Sequence, residues 1–270
     1  MRIGVISDLH VDYNKLTYRQ IFNKIVESIK VNKLEAFFIC GDLTNNMEET
    51  RNWLESMREE LKDLNLCPLF YIAGNHDEYF GDINVESDSY INHKVVTISN
   101  IDFIGWNGWY DYSFVEDLIK FDPDEYLKHF KEQYWADAHY IHRGCTDKEY
   151  FETEYRWLKN TLANLTSKNP NNKRVVLTHF VPSKKGVLFK GDYIWDTCNA
   201  FMGSYHTGDL LEEYFVDHVF FGHTHSHFNF SNENKLGTST NYHGVPLGYK
   251  NIEWFDFDSR WEESLKVIDL

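Results

Sequence analysis

Four cysteines (Cys40, Cys67, Cys145 and Cys198) are spread over 270 residues with no C-x-x-C pair. That is too few and too scattered for a disulfide framework, and the expected setting is a reducing cytoplasm. Apolar runs are short as well. None approaches the roughly 18 residues that cross a membrane, and Met1-Arg2 leads into a strand-like segment, not into the apolar core of a secretion signal. Basic charge is the third shortage: 27 Lys and Arg face 42 Asp and Glu, for a formal net charge of −15. Such a surface argues against membrane and against long nucleic acid, whose affinity rests on phosphate contacts. A substrate carrying phosphate would need concentrated local positive charge, which metal ions can supply. Internal repeats, low-complexity linkers and a nucleophilic Ser or Cys motif are also missing. One domain over 1–270 with insertions is the simplest description.

What is present is a pattern repeated five times. Leu69-Phe70-Tyr71-Ile72-Ala73 reads as a buried strand, and Gly74-Asn75-His76-Asp77 follows it. Arg2–Ser7 precedes Asp8-Leu9-His10, and Leu34–Cys40 precedes Gly41-Asp42. Arg174–Leu177 opens into Thr178-His179-Phe180, and His218–Phe221 into Gly222-His223-Thr224-His225. Helical spacing over Thr17–Val31 and Met47–Leu66 separates the first three strands, so those strands are expected to be parallel neighbours. In an open α/β sheet ligands bind beyond the carboxyl ends of the strands, and all five polar clusters would meet at one edge. Asp8, His10, Asp42, Asn75, His179, His223 and His225 are seven potential metal ligands. That number exceeds one tetrahedral shell and suits two ions, with Asp42 placed to bridge.

These motifs, in this order and with roughly this spacing, resemble those of the calcineurin-like metallophosphoesterases. The resemblance runs from the N-terminus to about residue 225. It implies an α/β fold, a four-layer α/β/β/α sandwich with two divalent ions, Mn, Fe or Zn. Carried over by motif, Asp8, His10, Asp42 and His225 would hold one ion, and Asp42, Asn75, His179 and His223 the other. His76 would contact phosphate and act as the acid. A hydroxide bridging the ions would attack phosphorus in line, while His76 protonates the leaving oxygen. A small phosphomonoester or phosphodiester is the favoured substrate. A nuclease, a protein phosphatase, or a non-catalytic scaffold on the same fold are the alternatives, and a scaffold would be expected to lack ligands.

The remaining segments carry less specific signals. Val95–Ile98 and Ile101–Trp106 read as a hairpin around Ser99-Asn100. Residues 109–151 hold 12 aromatics, 10 Asp or Glu and 5 Lys or Arg, and include one clear helical stretch, Pro123–Trp135. They are read as a cap-like insertion with its own satellite hydrophobic cluster. A helix is expected from Tyr155 to near Asn169, a second loop insertion over 181–208, a helix over Asp209–Phe215, and tail strands at Ile252–Phe257 and Leu265–Ile268. Asp77 is expected either to orient an imidazole or to cap a helix. His139 and His142 are expected to be packed or at the surface, His227 to support the site or the fold, and Lys184 and Lys185 to be solvated. His206 and His243 stay open as substrate contacts.

Overall fold

The computed structural model describes residues 1–80, 87–119, 123–233 and 237–270. Residues 120–122 of the expected insertion therefore lie outside the described residues. Strand and helix alternate at first as β1 (Arg2–Ile6), α1 (Tyr18–Asn32), β2 (Ala36–Cys40), α2 (Met47–Asp63) and β3 (Leu69–Ile72). Thr17 starts α1 with a capping box to Gln20, and Asn46 starts α2 by accepting from the Glu48 and Glu49 amides. β4 (Lys94–Ile98) and β5 (Ile101–Gly105) form the expected hairpin, and Ser99 and Asn100 both take positive φ, as its two-residue turn requires. There follow α3 (Pro123–Tyr134), α4 (Asp137–Tyr140), α5 (Asp147–Lys168), β6 (Lys173–Leu177), α6 (Tyr193–Cys198), α7 (Tyr205–Glu213) and β7 (His218–Phe221). The chain ends with β8 (Phe228–Glu233), β9 (Ser239–Gly244), α8 (Phe257–Ser264) and β10 (Lys266–Asp269).

The strands form two sheets, ordered β10-β1-β2-β3 and β4-β5-β6-β7-β9-β8. Two sheets are what the α/β/β/α sandwich implied by the resemblance requires. β1, β2 and β3 are parallel neighbours as expected, but the fourth and fifth motif strands, β6 and β7, belong to the second sheet. Strand periodicity shows why two sheets are needed. In β2, Ala36, Phe38 and Cys40 join the apolar layer between the sheets, with Phe103, Val175, Leu177 and Phe220 from the other side. Phe37 and Ile39 point the opposite way, into a layer with Ile21, Ile25, Leu54 and Trp261 of the covering helices. On the outer face of the second sheet, Ile104, Val176, Val219 and Phe221 pack with Leu158, Leu162 and Leu210. Both sheets are thus apolar on both faces, and the result is the α/β/β/α sandwich.

Several boundaries differ from the sequence reading. The helix expected from Tyr155 starts at Asp147, where Thr146 and Glu149 form a second capping box, and α7 starts at Tyr205. Ile252–Phe257 is not a strand: Trp254 is buried while Ile252 and Phe255 are exposed, and Asp256 caps α8. Nor is the aromatic stretch after Trp109 a satellite. Trp109, Tyr110, Phe114, Leu127 and Phe130 belong to the same buried cluster as Val176 and Phe221. Aromatic density signalled a cluster, but nothing local in the sequence said which face it covers.

Candidate metal centre

The loops after β1 and β2 interlock backbone to backbone, as do those after β6 and β7, and side chains of Asp42 and Asp77 tie in the loop after β3. The Asp8 amide donates to the Gly41 carbonyl at 3.0 Å, that of His10 to Asp42 at 2.9 Å, and that of Gly222 to His179 at 3.0 Å. Packing this tight restricts what may sit in the loops. Gly41 has φ +89°, and a Cβ on Gly74 would lie 2.1 Å from Asp42 Oδ1. More telling, Asp8, His10, Asp42, His223 and His225 all adopt φ between 41° and 67°. Side chains rarely take this conformation, at a cost of roughly 1–3 kcal/mol each, and such strain concentrates at functional sites.

The strained loops gather the polar side chains into one buried cluster. His225 Nε2 lies 3.3 Å from Asp8 Oδ1 and 3.1 Å from His10 Nε2. Asp42 Oδ2 is 3.6 Å from His10 Nε2 and 3.3 Å from His179 Nε2, which itself is 3.2 Å from Asn75 Oδ1. His223 completes a group with Asp42 and His179, and His76 one with His10 and Asp42, each with donor atoms within 4.8 Å of one another. All seven sequence-nominated ligands are therefore brought together, with His76 beside them. A single oxygen, Asp42 Oδ2, faces donors on both sides. Its partner Oδ1 accepts the His76 amide at 2.9 Å, which fixes the carboxylate's rotation.

Three of the ligand imidazoles are also held from behind. His179 Nδ1 donates to the Cys40 carbonyl at 2.8 Å, His223 Nε2 to the Phe201 carbonyl at 3.1 Å, and His225 Nδ1 to Glu253 Oε1 at 3.0 Å. With one ring nitrogen occupied in this way, the other presents its lone pair to the cluster, the usual arrangement around a bound metal. Protonation agrees. Burial, reinforced by nearby imidazoles, keeps His10 well below its ordinary range and brings His223 down to about 4, so both stay neutral. Burial alone would raise the Asp8 and Asp42 carboxyls; the facing imidazoles outweigh it, taking Asp8 to about 2 and Asp42 well below its usual value. For His179 and His225 burial opposes charge, yet Asp42 in the first case and Asp8 with Glu253 in the second push them up to about 9 and about 10. Two ionised carboxylates among inward-facing imidazoles make a donor set that fits divalent cations, and a cation there would compete with these protons. His10 Nδ1, buried with no hydrogen-bond partner among the described residues, is a further sign that ring placement outranks local satisfaction.

The profile of the calcineurin-like phosphoesterase family matches residues 1–227. The chain belongs to that family. Among the solved structures that share its fold are a hydrolase and a phosphatase. A phosphopantetheinyl hydrolase from Mycobacterium tuberculosis aligns over 98% of this chain and 95% of its own, at 17% identity and a TM-score of 0.66. A dimetal phosphatase from Danio rerio aligns over 91% and 87%, at 13% identity and a TM-score of 0.53. No curated protein sequence matches this calcineurin-like chain significantly.

Other expectations resolve differently. Asp77 neither orients an imidazole nor caps a helix. Its Oδ2 accepts the Asp42 and Gly74 amides at 2.8 and 2.9 Å, and Oδ1 accepts those of Leu43 and Thr44 and the Thr50 hydroxyl. It is the anchor that binds the second and third motif loops to each other. His227 is structural, bonded to the Pro246 carbonyl and to Ser264. His243 contacts His218, Phe220 and Asn229, away from the cluster, and His206 lies by Ser204 and Tyr205. His139 and His142 are exposed, and Lys184 and Lys185 bond to Glu116 and Asn232 at the surface. Sequence reading missed Asn45, whose Oδ1 holds His76 Nδ1 at 2.7 Å, and Tyr249, whose hydroxyl is 3.4 Å from His76 Nε2 and whose ring packs on His10 and His225. It also missed Glu253 and Asp137. Tyr249 and Glu253 lie beyond the family match, in a tail with no motif of its own.

Proposed function

We propose that this calcineurin-like phosphoesterase hydrolyses a small phosphomonoester or phosphodiester with two divalent ions held in the centre. The observation that carries the reading is Asp42 Oδ2, one carboxylate oxygen within 3.6 Å of His10 on one side and 3.3 Å of His179 on the other. Asp8, His10, Asp42 and His225 would hold the first ion; Asp42, Asn75, His179 and His223 the second. Bound there, Mn, Fe or Zn ions would supply Lewis-acid polarisation of the phosphoryl group and activation of a water. The chain's own part is to place these donors rigidly and to manage the proton on the leaving oxygen. Asn45 Oδ1 accepts a hydrogen bond from His76 Nδ1, so the ring turns Nε2 outward beside the Tyr249 hydroxyl, where the doubly protonated ring can give its Nε2 proton to a leaving oxygen.

A small substrate fits the charge distribution. The formal charge is −15, and several cations of the insertion are paired with carboxylates. Arg143 pairs with Glu78 between the Trp109 and Tyr150 rings, and Lys131 pairs with Asp147. That charge balance disfavours a long nucleic-acid backbone, whose affinity rests on phosphate contacts.

A leaving-group series tests the reading. The metal-loaded enzyme should turn over both alkyl and p-nitrophenyl phosphoesters. His76→Ala should slow alkyl esters by about 10²–10⁴-fold, and p-nitrophenyl esters far less, because nitrophenolate leaves without a proton. Equal losses across the series, measured as kcat/KM, would remove His76 as the acid. Absence of turnover on every small ester, with activity on phosphopeptides only, would overturn the substrate class.

A further inference from the structure

We propose that Asp137, supplied by the segment after Trp109, is a positioning residue for the second ion's amide ligand. It turns Asn75 so that the carbonyl oxygen, and not the amino group, faces the metal. The inference rests on the metal reading above and names a residue outside the five motifs.

An asparagine can present either end of its amide to a cation, and only the oxygen can ligate. Something must therefore hold the nitrogen end. Asn75 Nδ2 donates to Asp137 Oδ1 at 2.8 Å and to the Tyr79 hydroxyl at 3.1 Å, so both amide protons are engaged. Oδ1 is left facing His179 Nε2 at 3.2 Å, on the cluster side. Asp137 can hold the amide firmly because it is itself held. Its Oδ1 also accepts from the Tyr79 hydroxyl at 2.8 Å, and its Oδ2 from the Tyr110 hydroxyl and the Trp135 indole, both at 3.0 Å. The side chain is wholly buried, with two donors on each oxygen. Both Asp137 oxygens already act as acceptors, so the flipped amide would set oxygen against oxygen at hydrogen-bond distance. Tyr110 and Trp135 pack in turn against Phe201, whose carbonyl holds His223. The aromatic segment thus fixes the outer side of the second group, while Glu253 plays the corresponding part for His225 in the first.

Equilibrium titration of chelator-treated protein with Mn²⁺ alone decides the matter. The wild type should take up two ions, and fewer would overturn the metal reading together with this one. Asp137→Asn should leave the first ion unchanged and weaken the second by about 10–100-fold, the scale on which partners behind metal ligands act. A lower melting temperature with both affinities intact would show a merely structural role and overturn the proposal. Because Asp137→Asn could fail to fold, Asn75→Asp is titrated as well. A carboxylate is intrinsically the better ligand, yet here it would face Asp137 across 2.8 Å. The second ion should weaken, and combining Asn75→Asp with Asp137→Asn should restore it by exchanging the pair. A tighter second ion in Asn75→Asp alone would overturn the proposal.

Discussion

Asp42 and Asp77 are both fully buried carboxylates on adjoining loops, and the bonds they make separate their tasks. Asp42 turns one oxygen to His10 and His179, whereas Asp77 spends both oxygens on loop amides and the Thr50 hydroxyl. Asp42→Asn is expected to abolish turnover and to weaken both ions with little change in the fold, since a neutral amide bridges cations poorly. Asp77→Asn sets an amino group against backbone N–H donors. It should cost stability, by about 1–3 kcal/mol for the unsatisfied groups, before it costs metal. Thermal melts beside metal analysis distinguish the two, and an equal loss of metal in both variants would place Asp77 at the ions. The motif aspartate, His76 and the seven potential ligands were readable because each directly follows an apolar strand. The partners behind them were not. Asn75 and Asp137 are 62 positions apart, and His225 and Glu253 are 28 apart, so only the fold brings them together.

Among the elements, the parallel strands and the first two helices followed from short-range periodicity, which is why their sequence-derived bounds nearly hold. The division into two sheets came from the family resemblance and not from periodicity, because the alternation in β2 says that both faces are buried but not what covers them. The aromatic segment failed for a related reason: composition marks a cluster, while Trp109, Tyr110 and Phe130 reveal their place only by packing with Val176 and Phe221. Taken as a removable cap, 109–151 could be replaced by a linker without harm to hydrolysis of a small aryl phosphate. The packing predicts the opposite. Excision would uncover the outer face of the second sheet, remove the first turn of α5 and unseat Asn75. Loss of cooperative unfolding is the expected result; a soluble, cooperatively melting product that still hydrolyses p-nitrophenyl phosphate would show the segment to be dispensable.

For the whole molecule, a strongly acidic chain built around anion chemistry is consistent only if positive charge is concentrated at one place. The interlocked loops, five strained donor positions and inward-turned imidazoles all act on that place. None of the described helices is long and apolar enough to cross a membrane. The acidity fits the small phosphoester proposed above, drawn to a local positive centre. The most direct measurement is metal stoichiometry with location: elemental analysis of the purified chain, then anomalous scattering from crystals grown at saturating Mn, Fe or Zn. The account predicts two ions per chain that share Asp42, one beside Asp8, His10 and His225, the other beside Asn75, His179 and His223. A single ion at saturation, or none, would contradict it.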